Sequence, residues 1–245
     1  MTPHLLHRDG MVLVIDKPAG LPVHPGPQAM RQRIPTLTDY LDDLRFGLPR
    51  KPEAAHRLDK DTSGCLILGR HPKALAKLNL LFKQGKVSKS YWAVVKGSPE
   101  NDSGLINLPL GRRDPDRGWW MAVMPDGLAA LTRWQVLGRG LSSTGEKLTW
   151  LDLNPETGRT HQLRVHCQAS GWPILGDPIY GQNNNARQHE GPPLMHLHAR
   201  MLCLQMSHNK PPLVVYAPPP AHMLVALKAC GWVNHATSHA PETLS

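Results

Sequence analysis

The sequence predicts an α+β fold, a large mixed but mostly antiparallel sheet with flanking helices, and three observations predict it. Apolar runs are many, short and bounded by turn formers, with 21 Gly and 24 Pro in 245 residues. Few segments carry the three-to-four-residue apolar spacing of a helix. Residues 130–137 (Ala-Leu-Thr-Arg-Trp-Gln-Val-Leu) and 147–153 (Lys-Leu-Thr-Trp-Leu-Asp-Leu) alternate as paired antiparallel strands do.

Taken in order, residues 11–16, Met-Val-Leu-Val-Ile-Asp, read as a buried strand. Lys17-Pro18-Ala19-Gly20-Leu21-Pro22-Val23-His24-Pro25-Gly26 follows as a stiff Pro/Gly loop with little backbone entropy left to lose. Lys17 and His24 on it either line a site or sit on a plain connector. A helix begins at Thr36, where Thr36-x-x-Asp39 is a capping-box variant, carries Leu37, Tyr40, Leu41 and Leu44 on one face, and stops at Gly47. The polar loop 48–64 leads into a strand at 65–70. Pro72 opens a second helix in its first turn, with Leu75, Leu78, Leu81 and Phe82 as its buried stripe and Gly85 as its stop. Residues 86–97 are a strand with lysines at both ends.

Residues 98–129 are rich in turn formers and hold the cluster Arg112-Arg113-Asp114-Pro115-Asp116-Arg117, so a hairpin or long exposed loop is expected. That loop either holds phosphates or is a solvated tip. Thr160 is the expected cap of a helix, whose N-terminus with Arg159 and Arg164 makes an anion site. Gly176-Asp177-Pro178-Ile179-Tyr180-Gly181 is a turn, 182–193 a polar excursion, and 194–206 a long strand with Leu197 and Ala199 on one face. A short strand at 213–216 and a helix at 221–230 close the chain. With no repeat and no linker, residues 1–233 are expected to form one domain and 234–245 a disordered tail.

Composition narrows the partners. The net charge is +9, and a protein this basic commonly meets a polyanion, with nucleic acid the first candidate. The 4 cysteines, Cys65, Cys167, Cys203 and Cys230, form no C-x-x-C pair and read as reduced thiols of a cytoplasmic protein. No signal peptide is read at Met1-Thr2-Pro3-His4, and no apolar run approaches the ~18 residues of a membrane span. Although there are 14 histidines, none lies in a metal-ligand pattern; His161/His166 and His196/His198 read as structural or RNA-contacting residues, and no metal or cofactor is expected.

The chemistry concentrates in Ala55-His56-Arg57-Leu58-Asp59-Lys60-Asp61-Thr62-Ser63-Gly64, a polar loop joined to the apolar run Cys65-Leu66-Ile67-Leu68. Loops fixed to a rigid strand are where chemistry tends to sit, yet an Arg-x-Asp turn alone is usually a solvated ion pair. If 59–61 were extended, Asp59 and Asp61 would point the same way, roughly 6.5 Å apart, near glycosidase spacing. Thr62-Ser63-Gly64 favours a turn that separates them. A single carboxylate beside a cation stays charged and aimed, which suits work at a sugar carbon. An RNA substrate would have to give up a base from its stack; Arg57, planar and stacking, can fill the gap, and Tyr91 can cover the extruded base or simply pack in its strand.

His56 to Gly64 closely resembles the signature loop of the RluA-type pseudouridine synthases. Asp16-Lys17-Pro18-Ala19-Gly20-Leu21-Pro22-Val23-His24 resembles their first motif, and Lys89-Ser90-Tyr91-Trp92-Ala93 their K-x-Y-x-A strand. Thr157-Gly158-Arg159-Thr160-His161-Gln162-Leu163-Arg164-Val165-His166 resembles T-G-R-x-H-Q-[IL]-R, and Gly176–Gly181 and Leu197-His198-Ala199 match later landmarks. The set spans roughly residues 10–220 in order, which is far more specific than any one motif.

The resemblance implies a mixed-sheet α+β catalytic domain that isomerises uridine to pseudouridine without cofactor or metal. It implies Asp59 as catalytic aspartate and Arg164 as its partner. Tyr91 would stack on the uracil, Leu197 would pack against it from the pocket wall, and Arg57 would take the place of the flipped nucleotide. Cys65 stands where the family often has Leu. The first motif begins near residue 10, so the resemblance is to short-form members without an N-terminal S4 module, which modify tRNA and in some cases rRNA. A monomer is expected. Two rivals remain at this point, a non-catalytic RNA-binding protein with the same fold and a hydrolase using Asp59 and Asp61.

Overall fold

The computed structural model describes residues 3–26, 34–114, 120–181, 194–207 and 209–234. The excursion expected at 182–193, the far end of the 112–117 cluster and the tail from 235 onward lie outside the described residues.

Ten strands form one sheet. Its order is β1 (His4–Arg8), β2 (Val12–Lys17), β4 (Ser63–Gly69), β11 (Leu197–Leu204), β5 (Val87–Lys96), β10 (Lys147–Pro155), β9 (Leu131–Leu141) and β6 (Ser103–Asn107). β3 (Glu53–Ala54) pairs with β4 and β12 (Leu213–Tyr216) with β11, while β7 (Leu110–Arg112) and β8 (Met121–Val123) form a separate hairpin. Among the described residues every named pairing is antiparallel except β11 with β4. The helices are α1 (Pro72–Lys83), α2 (Gln162–Ala169) and α3 (Leu224–Ala229). This is the mixed, mostly antiparallel α+β sheet that the sequence predicts.

β4 is buried along its whole length, which is why it reads as an unbroken apolar run rather than an alternation. It packs with β2, α1 and the far half of β11 into one core. A second core gathers Ala93 and Val95 of β5, Leu151 and Leu153 of β10, and Leu163 and Cys167 of α2. Tyr91 touches both cores, so it marks the seam between them.

The seam depends on one glycine. Gly64 has φ +104°, and a Cβ there would lie 2.3 Å from the carbonyl oxygen of Ala199. Only a residue without a side chain lets β4 meet β11 in parallel at Ser63↔His198 and Gly64↔Ala199. The same contact brings the loop that precedes β4 beside β5 and β11.

Two local expectations are corrected and a third is met in part. The segment after Thr36 is a single 3-10 turn, Leu37–Tyr40, rather than a helix running to Gly47. Asp39 does accept the Thr36 N–H at 2.7 Å, but positive φ at Phe46 and Gly47 ends the segment within the length at which helices are marginal. Leu37, Leu41 and Leu44 are still buried, through a succession of turns. Among the described residues of 98–129, the hairpin alternative is present as β7–β8, packed against α2, and β6 adds an edge strand to β9 that was not expected. Thr160 does not cap α2. The N-cap is His161, and the Gln162 side chain secures the entry by accepting from Thr157 Oγ1 (2.7 Å) and the Arg159 N–H (3.0 Å) while donating to the Leu131 carbonyl (2.9 Å).

Buried neutral histidines make the fold acid-sensitive. His198 bridges Ser63 Oγ (2.9 Å) and the Ala217 carbonyl (3.2 Å), and His166 bridges Thr132 Oγ1 (2.9 Å) and the Leu108 carbonyl (3.0 Å). Burial holds His198 and His161 down at about 4 and lowers His166 as well. Below about pH 6.5 the unfolded chain therefore binds protons that the native fold refuses. Stability is fully present above that pH and falls toward pH 4, by at most about 1.4 kcal/mol per pH unit for each such histidine. The urea midpoint is expected to be clearly lower at pH 5.5 than at pH 7.5; equal midpoints would contradict neutral burial.

Candidate active site

The Pro/Gly loop and the polar loop are clamped together by a lysine. Lys17 is fully buried, and its ammonium donates to the carbonyls of Pro18 (2.8 Å), Leu21 (2.8 Å) and Lys60 (3.0 Å). Burial pulls it down to about 7, against the pull of Asp61, Asp59 and Asp16. The Gly20 N–H donates to the same Lys60 carbonyl at 2.9 Å. Lys17 is thus a clamp inside the loop pair. His24 is exposed.

A turn follows, closed by the Thr62 N–H donating to the Asp59 carbonyl at 3.1 Å. Asp59 and Asp61 therefore do not share one face of an extended strand, and Asp61 acts on the field at Lys17. The Asp59 side chain, 19% exposed, turns into a cleft of about 950 Å³ at the seam of the two cores. Arg57, Tyr91, Arg164 and Leu197 all line this cleft. Arg57 is exposed at its lip. Tyr91 on β5 stands opposite Ala199 on β11, and Leu197 lies two residues along the same face. Leu197 is buried, and burial pushes the Tyr91 phenol above its usual range, with the Asp59 charge adding to the effect.

Arg164 leaves the first turn of α2 with its side chain only 3% exposed. Its Nη1 donates to Asp59 Oδ2 at 3.2 Å, while Nε and Nη2 donate to Asp177 Oδ2 and Oδ1, both at 2.8 Å. The Asp177 side chain is fully buried. Burial alone would raise its pKa, but Arg164 and the amides of Tyr180 and Ile179 hold it below the ordinary value. A bidentate carboxylate on one side of the guanidinium leaves the third nitrogen fixed in direction. The expected anion site at the start of α2 is accordingly already filled on the Arg164 side, and Arg159 Nε donates to the Ala129 carbonyl at 3.0 Å.

Sequence reasoning missed the layer behind Asp59. His161 takes φ +53°, a left-handed conformation that costs a non-glycine residue roughly 1–2 kcal/mol. Its Nε2 lies 3.7 Å from Asp59 Oδ2, and its Nδ1 lies 2.8 Å from the Tyr180 hydroxyl. That hydroxyl in turn accepts the Met121 N–H at 2.9 Å. Asp177, His161 and Tyr180 each stand inside quoted motifs, but nothing local in those motifs says which group each one meets. Lys89, on the same face of β5 as Tyr91, adds a half-buried cation to the cleft wall, lowered by burial. Among the described residues no group of three or more His, Cys, Asp or Glu is arranged to hold a metal ion, and no helix is long and apolar enough to cross a membrane.

A mixed, mostly antiparallel sheet of ten strands flanked by few helices is the fold of RNA pseudouridylate synthase domains. The solved structure of human RNA pseudouridylate synthase domain containing 1 superposes with a TM-score of 0.73 at 30% identity, over 94% of this chain and 87% of that one. The family model for RNA pseudouridylate synthases matches residues 11–169. The chain belongs to that family, and so it is an isomerase that acts on RNA. An uncharacterized RNA pseudouridine synthase from Zymomonas mobilis is 42% identical over 213 residues, 86% of this chain and 91% of that protein. The ribosomal large subunit pseudouridine synthase D of Nitrosomonas europaea is 36% identical over 243 residues, 97% of this chain and 68% of that protein.

Proposed function

We propose that this protein isomerises a specific uridine in structured RNA, transfer RNA and/or ribosomal RNA, by drawing the base out of its stack into the cleft, with Asp59 as the required carboxylate. The observation that carries this reading is the Asp59 side chain, gripped by a guanidinium that is itself fixed by Asp177, on the wall of a cleft rimmed by cations. The name of the Nitrosomonas relative supports ribosomal RNA as one substrate.

In this reading the N1–C1′ bond breaks, the uracil turns, and a C5–C1′ bond forms. The proton on C5 passes to solvent and N1 ends with a proton, so nothing else is consumed. Asp59 attacks C1′, removes the C2′ proton or attacks C6, and each route uses its anionic oxygen. Tyr91 covers the uracil, Leu197 packs against it from the wall, and Arg57 occupies the vacated place in the RNA stack. The protein works in the cytoplasm as a monomer, with no cofactor or metal.

The test is RNA labelled with tritium at C5 of uracil. Isomerisation releases the label to water with no free uracil; free uracil would make the protein a hydrolase, and neither product would make it a binder. Mapping pseudouridine in RNA from cells with and without the protein then names the position. Arg57→Ala is expected to lose at least about tenfold more rate on a folded substrate than on an unstructured strand, a fraction of the few kcal/mol that extrusion costs. Equal losses on both substrates would remove the flipping role.

A further inference from the structure

Two groups converge on one oxygen of Asp59. Arg164 Nη1 lies 3.2 Å and His161 Nε2 3.7 Å from Oδ2. The hydrogen bonds behind His161 bear on which tautomer it takes, because a phenol has one proton to give and the Met121 N–H already occupies one of its lone pairs. The Met121 N–H donates to the Tyr180 oxygen, so the phenolic O–H is available to His161 Nδ1, 2.8 Å away. Burial keeps the imidazole neutral near pH 7. A neutral imidazole that accepts at Nδ1 has its proton on Nε2, the nitrogen facing the carboxylate. The Tyr180 ring is held too, with the Arg164 guanidinium 5.1 Å from its centroid and the His161 ring edge-on at 5.5 Å. Left-handed backbone at a buried, non-glycine residue is retained where the surroundings over-determine it, and such residues cluster at functional sites.

We propose that His161, with its tautomer set by Tyr180, is a positioning residue that donates from Nε2–H to Oδ2 of Asp59 in the RNA complex, so that Oδ1 is the oxygen presented to the nucleotide. The inference rests on the isomerase reading of Asp59. The 3.7 Å separation closes by several tenths of an ångström when substrate fills the cleft, as functional hydrogen bonds left long without substrate do. Arg164 supplies charge to Oδ2, and His161 supplies a second, directional donor. Two donors on one oxygen restrict rotation of the carboxylate better than the cation does alone.

The test uses side chains that mimic one ring nitrogen each. Asn places a polar atom near the position of Nδ1 and tolerates left-handed backbone well. Gln places an amide N–H near the position of Nε2 but is worse suited to that backbone. In the tritium-release assay, His161→Asn is expected to lower kcat roughly 100-fold and His161→Gln no more than roughly 10-fold, within the range for outer partners that orient a functional group. Tyr180→Phe, which keeps the ring and loses the hydroxyl, is expected to lower kcat roughly 10-fold. KM and melting temperature stay near wild type in all three.

A purely structural role for His161 predicts the reverse ranking, Asn above Gln, and that result overturns the proposal. So does Gln equal to Asn, or Tyr180→Phe with unchanged kcat. Should both His161 variants fail to fold, Tyr180→Phe decides alone: a kcat loss at unchanged KM and melting temperature supports the proposal, and unchanged kcat ends it. If wild-type protein releases no tritium, the isomerase reading itself fails. If wild type is active and Asp59→Asn dead while these variants are normal, only the positioning role fails.

Discussion

Asp59→Asn is expected to bring tritium release below about one-thousandth of the wild-type rate, a loss of roughly 4 kcal/mol of transition-state stabilisation or more. The substitution is nearly isosteric. Arg164 keeps its bidentate grip on Asp177, and the turn closed by the Thr62 N–H uses the Asp59 backbone rather than its carboxylate. The fold and the cleft are therefore retained. What is lost is the anionic oxygen, which attack on C1′, removal of the C2′ proton and attack on C6 all require. RNA affinity is expected to stay within about threefold, because phosphate contacts by lysine and arginine carry most of the affinity for nucleic acid. Turnover by the Asn variant at more than a few per cent of the wild-type rate would remove Asp59 from its role.

The second large effect separates stability from activity. Arg164→Met leaves Asp177 fully buried with amide donors but without its cation. Removing one member of such a pair costs about 3–5 kcal/mol, much of it the penalty of the stranded charge. Activity falls with it, since Asp59 loses the Nη1 contact. Adding Asp177→Asn removes the stranded charge while keeping an oxygen that accepts the Ile179 and Tyr180 amides. The double variant is expected to recover most of the stability in urea unfolding and none of the tritium release. Recovery of both would mean that Arg164 acts only by holding the fold; recovery of neither would mean that Asp177 does more than position Arg164.

Much of this site was legible locally. Arg57 and Asp59 stand two apart in a polar loop that runs straight into a wholly buried strand, so the loop had to be anchored and its polar groups had to face something other than the core. The turn at 59–62 was legible from Thr62-Ser63-Gly64, and the pairing of β9 with β10 from their alternation. Leu197 sits on a strand whose alternation puts it on one face with Ala199, whereas the strand of Tyr91 has a mixed pattern that marks no face. The roles carried over to these residues came from the resemblance of several ordered motifs, since neither an isolated tyrosine in a strand nor a leucine at its end declares a ligand.

Other features were beyond any local pattern. The segment after Thr36 has helical spacing, yet it folds as a 3-10 turn because packing of Leu37, Leu41 and Leu44 can be met by turns as well as by a helix. β6 buries a single side chain, Ile106, so an edge strand looked like loop. His161 reads as the residue after a cap, and its left-handed backbone follows from the way α2 is pinned through Gln162 to β9.

By itself the sequence determined the class of fold, the order of its motifs, the family and the loop that bears the carboxylate. Those are set by short-range periodicity, turn chemistry and the identity of neighbouring residues. Arg164, 105 positions away, is the partner that the ordered motifs implied; only the tertiary structure decided what else surrounds that carboxylate, the Asp177 that holds Arg164 and the His161–Tyr180 pair beside it. The reason is the junction at Gly64, where absence of a side chain lets β4 lie against β11 and closes the two cores into one cleft. Contacts made across such a seam depend on the path of the whole sheet, and no stretch of chain carries them alone.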